Sequence, residues 1–128
     1  MATRSRIGIE LLGGKVKSIY CHWDGYPSYR IPLLLEHYSE REKVEQLIEL
    51  GSISSLRPQT DNTIAYARDL GETIQPAKLH DNREAFRVGD VEEWGYLFNL
   101  DNEWLYVKEE YPENSQFMKA ADFKEEND

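Results

Sequence analysis

The stretch SIYCHWDGYPSY, residues 18–29, sets Cys21, His22 and Asp24 among three tyrosines and a tryptophan. Metal ligation is the first chemistry such residues could serve. Adjacent strand residues point to opposite faces, so Cys21 and His22 cannot both reach one ion without a bulge. The chain has no second Cys, and His37 and His80 lack a His or Cys partner at i±4. No metal site is therefore expected. Cys–His catalysis is the second chemistry. Cys21 sits between Tyr20 and His22 in the middle of an apolar-alternating run, where a buried packing thiol is the ordinary outcome. The glycines of LGGK lack the remainder of a phosphate-cradling loop. No catalytic residue is expected.

Ligand binding is the third. Trp23, Tyr26 and Tyr29 flank a turn, and Arg30 follows. Arg57 falls in a loop and Arg68 at the end of an alternating run. Aromatic faces stack on bases, and the guanidinium fork matches phosphate oxygens. The plainer reading stands beside it. Trp and Tyr are common core residues with a polar handle, and Asp24 can serve the turn alone.

These residues need a scaffold, and the composition describes one. At 128 residues the chain fits a single domain with its own core. Hydrophobic residues make up 40% and aromatics 12%, which excludes global disorder. No apolar run approaches a membrane span, and the N-terminal residues lack the apolar core of a secretory signal. One Cys fits a reducing compartment, so a cytoplasmic location is expected. The net charge of −9 argues against nucleic-acid binding, whose main term is phosphate neutralisation. That charge is uneven. Residues 1–30 carry five basic side chains against two acidic ones, and residues 109–128 carry seven acidic against two basic.

The elements follow from periodicity and turn chemistry. RIGIEL alternates, with Ile7, Ile9 and Leu11 on one face, and VKSIYCHW resumes after two glycines. Residues 6–11 and 16–23 are thus a β-hairpin. Pro32 suits a helical first turn. Val44, Leu47 and Ile48 recur at helical spacing, and Gly51 supplies a stop, so one kinked or two consecutive helices are expected over 31–50. Ser39 and Glu42 have capping-box spacing. Residues 52–62 read as a loop, 63–68 as a strand, and 81–88 as a short helix capped by Asp81. EWGYLFN and EWLYVK form a second hairpin. The fold expected is α+β: an antiparallel sheet of about four or five strands, built from hairpins with helices packed on one face. Residues 1–111 make the ligand-binding domain. Residues 112–128 make an acidic tail, expected to be mobile, with a helical turn near 117–123.

The run IGIEL…GGKVKSIYCHWDGYP…LLEHY…KVEQLIELGSISSL…TIAYARDLGE…WGYLFN…NEWLYV resembles a family of small phage and prophage proteins, marked above all by YCHWDGYP. The resemblance covers roughly residues 3–108 and points to the Thoeris anti-defence proteins, which sequester cyclic ADP-ribose signals. It departs at GYPSYRIPLLLEHY, which lacks the glycine expected near Arg30. It implies a non-enzymatic sponge that holds a cyclic nucleotide messenger intact, needs no cofactor, and works in the host cytoplasm as a dimer or larger homo-oligomer. Members are also taken to bind cyclic oligonucleotides. On this reading Arg30, Arg57 and Arg68 hold phosphate, Trp23 and Tyr26 meet base or sugar, and His22 and Asp24 orient them. Two other functions stand beside it: a small nucleotide-processing enzyme with His22 or Asp24 as acid–base, and an acidic inhibitor that binds a protein by mimicking nucleic acid with its net charge of −9.

Overall fold

The computed structural model describes residues 3–89, 93–108 and 116–124. The first hairpin forms as expected. β1 (Ser5–Glu10) pairs antiparallel with β2 (Val16–Cys21), with Ile7 opposite Ile19. The chain then crosses through α1 (Pro27–His37) and α2 (Arg41–Glu49). It continues into β3 (Ile53–Ser55), β4 (Ile64–Ala65), α3 (Tyr66–Leu70), β5 (Lys78–His80) and α4 (Arg83–Gly89). The second hairpin, β6 (Trp94–Phe98) and β7 (Trp104–Lys108), also forms as expected.

The sheet is larger than the sequence suggests, and it is mixed. Its order is β4-β3-β2-β1-β6-β7 and then β8 (Met118–Lys119), with β5 on the same side of β2 as β3. β1 and β6 run parallel, as do β2 and β3. A parallel partner needs a long crossover. The stretch holding α1 and α2 supplies it between β2 and β3. Along β2, β3 pairs at Cys21 and β5 at Val16, Lys17 and Ser18, so the two short strands share one edge.

Helices cover both faces, not one. Ile7, Ile9, Ile19, Tyr96 and Phe98 point toward Ile31, Leu34, Val44 and Leu47 of α1 and α2. On the other face Val16, Leu97, Leu105 and Val107 cluster with Phe86 of α4. The residues expected in the core from their spacing are buried: Ile9, Ile19, Val44, Leu47, Ile48 and Leu97.

Several local expectations are corrected. α1 begins at Pro27, which takes the first-turn position, and Pro32 lies inside the helix. The capping box does not form: Glu40 precedes α2 and no side chain caps it. Residues 53–55, read as loop, are strand. In 63–68 the strand ends at Ala65 and a helix starts at Tyr66. There the Asp69 carboxylate accepts the Ala65 N–H at 2.8 Å, and Gly71 closes the turn in the left-handed region at φ 71°. α4 is capped by Asn82, not Asp81, with the Ala85 N–H donating to its Oδ1 at 2.8 Å. Beyond β7, residues 116–124 return to the sheet. β8 pairs with β7, Ala120 in the following 3-10 turn (Ala120–Asp122) is buried, and Phe123 packs edge-on against Tyr106. The rest of the 112–128 tail lies outside the described residues. No helix among the described residues is long and apolar enough to cross a membrane.

α4 is tied to the sheet by charge as well as by Phe86. Buried Glu10 receives a bidentate pair from Arg83, Nε at 2.7 Å and Nη2 at 2.8 Å, plus the Leu100 N–H at 3.1 Å. The Arg83 guanidinium holds the Glu10 carboxyl below its ordinary range, against the opposing pull of burial, with Leu100 assisting. A depressed folded-state value contributes stability that is present above the unfolded value, about pH 4.3, and lost as pH falls through the folded one. The melting temperature of the parent should therefore exceed that of Glu10→Gln at neutral pH, and the gap should close on acidification below about pH 4.3. A gap unchanged from pH 7 to pH 3 in paired thermal melts refutes this assignment.

Candidate functional site

The aromatic turn after β2 is held from beneath. The His22 N–H donates to Ile53 O at 3.1 Å and the Trp23 N–H to Ser54 O at 3.0 Å, so the chain stays alongside β3 past the end of β2. Asp24 adopts φ 59°, in the left-handed region, which short polar residues tolerate best after glycine. Gly25 passes so close to β1 that a Cβ there would lie 2.7 Å from Ser5 Cβ and 2.8 Å from Thr3 O. Its carbonyl accepts the Tyr96 hydroxyl at 2.6 Å.

Arg30, expected to hold phosphate, is instead buried and completes this support. α1 starts three residues earlier, so Arg30 lies on the inner side of the first turn and is fully buried. One terminal nitrogen donates to Ser5 Oγ at 2.9 Å. The other donates to Trp23 O at 3.1 Å, to Asp24 O at 3.3 Å and to Cys21 Sγ at 3.2 Å. The guanidinium lies 5.7 Å from the centre of the Tyr96 ring, a cation–π contact. Arg30 therefore binds the turn's own backbone.

The opposite face of β2, buried at Val16 and Ser18, opens at Tyr20. Tyr20 alternates with Cys21 and faces away from the core helices. Its hydroxyl lies 2.7 Å from His22 Nδ1, and His22 meets Trp23 edge-on at 4.7 Å. Trp23 is 43% exposed. Tyr20 also forms part of a groove of about 430 Å³, with Arg6, Ser52, Gln75, Pro76 and Lys78. A smaller lobe of about 190 Å³ shares Tyr20, Ser52 and Gln75 and adds Tyr66, Glu72 and Thr73. The strand pairing explains the convergence. Arg6 is the cross-strand partner of Tyr20, and Lys78 is the partner of neighbouring Ser18, so both cations share the Tyr20 face. Arg6 Nε donates to Ser18 Oγ at 2.9 Å, and a terminal nitrogen donates to Ser18 O at 3.0 Å, which fixes the guanidinium along the sheet.

The far wall is the segment 71–77, which has no regular structure. Backbone bonds hold it at both ends: the Gly71 and Glu72 N–H groups donate to Tyr66 O, the latter at 3.0 Å, and the Ser52 N–H donates to Gln75 O at 3.0 Å. Gly51 lies directly against it at φ 74°.

Of the residues the sequence singled out, His22 contacts Tyr20 and Trp23 contacts His22, and neither lines the groove. Asp24 contributes a carbonyl to Arg30. Tyr26 is 41% exposed beside Tyr29, and neither lines the groove. Arg57 is exposed, with its main chain tied to Tyr38 and Thr63, and does not line the groove. Arg68 is committed to the Asp69 carboxylate at 2.9 Å and to Thr63 O. The groove residues not singled out are Arg6, Tyr20, Ser52, Tyr66, Glu72, Gln75 and Lys78. One signal could have found Arg6: if Ile7 and Ile9 face the core, Arg6 faces away from it beside Tyr20.

The arrangement suits binding. Ser18 Oγ lies 2.7 Å from His80 Nε2, the spacing of a nucleophile and its base. That pair is buried beneath Arg6 and against the Phe86 ring and lines neither lobe. Among the described residues no three His, Cys, Asp or Glu side chains converge as a metal site. What faces solvent is two cations, two phenol rings, hydroxyls, an amide and a carboxylate. Comparison with family models, curated proteins and solved structures finds no match to the chain.

Proposed function

We propose that this chain is a non-enzymatic binding protein that captures a cyclic nucleotide signal, a cyclic ADP-ribose isomer or a cyclic oligonucleotide, in the groove beside Tyr20. The observation that carries the reading is the meeting of Arg6 and Lys78 with Tyr20 in one cavity of about 430 Å³, within the size range of small-molecule sites. Phosphate pairs with the two cations. A base stacks on the half-buried ring of Tyr20 in the groove. The likeness of YCHWDGYP to anti-defence sponges supplies the class of ligand, and the groove supplies a place for it. In this reading the protein acts in the cytoplasm of the infected cell, as a dimer or larger homo-oligomer, and its phage gains by keeping the messenger from its receptor.

Titration calorimetry with cyclic ADP-ribose, followed by mass spectrometry of what heating releases, is the test. The parent should bind and return the molecule intact. Arg6→Ala and Lys78→Ala should each weaken binding about tenfold to a hundredfold, the worth of one charge-assisted contact. Arg57→Ala, outside the groove, should bind as the parent does. Recovery of a hydrolysed product would favour an enzyme instead. Undiminished binding by both groove variants would remove the site from the proposal.

A further inference from the structure

The two lobes of the groove differ in charge. The larger carries Arg6 and Lys78, and the smaller carries the Glu72 carboxylate with the hydroxyls of Ser52 and Thr73. A molecule with phosphate at both ends would set one of them against Glu72, a like-charge contact that disfavours binding. We infer that the groove reads a polar, head-to-tail ligand: phosphate in the Arg6–Lys78 lobe, and an unphosphorylated ribose diol on Glu72 in the smaller one. This rests on the nucleotide reading above and makes Glu72 the residue that determines specificity.

The chemistry of the smaller lobe selects a diol. An ionised carboxylate only accepts hydrogen bonds, so whatever meets Glu72 must donate. Two adjacent ribose hydroxyls can donate to its two oxygens. Each hydroxyl can also accept, and Ser52, Thr73 and the Gln75 amide can donate to it in the same space. An acidic side chain on a ribose hydroxyl is a recurrent device in nucleotide recognition. The position of Glu72 is set by the backbone. It follows Gly71, whose left-handed turn ends α3, and its N–H is bonded to Tyr66 O at 3.0 Å. Tyr66 and Glu72 are thereby brought to the same lobe.

Three probes differ only at the 2′ position: AMP, 2′-deoxy-AMP and adenosine 2′,5′-bisphosphate. Calorimetry at one fixed ionic strength should show the parent binding AMP best. Loss of the 2′ hydroxyl should cost about tenfold, and a 2′ phosphate more than that. Glu72→Gln, which keeps the shape and removes the charge, should recover much of the bisphosphate affinity while leaving the dependence on Arg6 intact. Equal binding of AMP and the bisphosphate by the parent overturns the inference, as does a Glu72→Gln variant that discriminates as strongly as the parent. If binding depends on Arg6 but not on Glu72, this inference falls alone. If none of the three probes binds while cyclic ADP-ribose does, this inference falls alone, and if cyclic ADP-ribose fails as well, the nucleotide reading falls with it.

Discussion

Arg30→Ala should lower the stability of the fold by about 3 kcal/mol or more, enough to move the melting temperature by roughly 10 °C. The guanidinium is fully buried and serves Ser5 Oγ and the carbonyls of Trp23 and Asp24. Removing it takes a donor from each of these acceptors and leaves Trp23 O only the Cys21 thiol, at about 1–3 kcal/mol for each one that water cannot reach. It also leaves a cavity under the turn. Arg30→Met separates the contributions. Met fills most of the volume and ends the burial of a charge, but it offers the same carbonyls no donor, so it should recover only part of the loss. Hydrogen exchange should show the damage first at Trp23 and Gly25, whose N–H groups are bonded to Ser54 O and Thr3 O. A variant Arg30→Ala that melts within a degree or two of the parent would contradict this role.

The second large effect is expected at Gly51. Its φ of 74° costs any L side chain about 1–2 kcal/mol. A Cβ there would also lie 2.4 Å from Gln75 O, a backbone atom that cannot swing aside. The segment 71–77 must move, and the bond from the Ser52 N–H to that same oxygen is lost. Gly51→Ala should therefore reduce stability by about 2–3 kcal/mol and open the wall carrying Glu72 and Gln75, so that binding of cyclic ADP-ribose falls with it. Gly71→Ala is the matched control. Its φ is 71°, but a Cβ there meets nothing within 4 Å. It should show the conformational penalty alone, about 1 kcal/mol, with binding retained. If the two variants melt and bind alike, the close approach at Gly51 is not what holds the groove.

Alternation in RIGIEL was enough to place the first hairpin, because a strand with one face on the core must repeat every second residue, and two aromatic-rich apolar runs around LDN placed the second. The recurrence of Val44, Leu47 and Ile48 likewise marked the buried side of α2. The two- and three-residue strands at 53–55, 64–65 and 78–80 hold too few positions to display a period. The parallel pairings of β1 with β6 and of β2 with β3 join segments far apart in the chain, and no local pattern records them.

The site divides along the same line. The density of aromatic and polar types in YCHWDGYP drew attention to the end of β2, where His22 contacts Tyr20 of the groove and Trp23 contacts His22. Choosing arginines by nearness in sequence failed for Arg30, because the start of α1 at Pro27 turns that side chain under the turn instead of outward. Arg6 and Lys78 lie 72 positions apart and meet only because β1 and β5 pair with opposite edges of β2, at Tyr20 and Ser18 of one face. Glu72 and Gln75 come from a stretch without periodicity, set in place by Gly51 and by backbone bonds to Tyr66 and Ser52. By itself the sequence determined which faces are apolar and where a chemically rich turn lies, since burial acts on each residue locally. Which polar side chains converge was decided by strand pairing and helix register, since these bring distant residues within reach of one ligand.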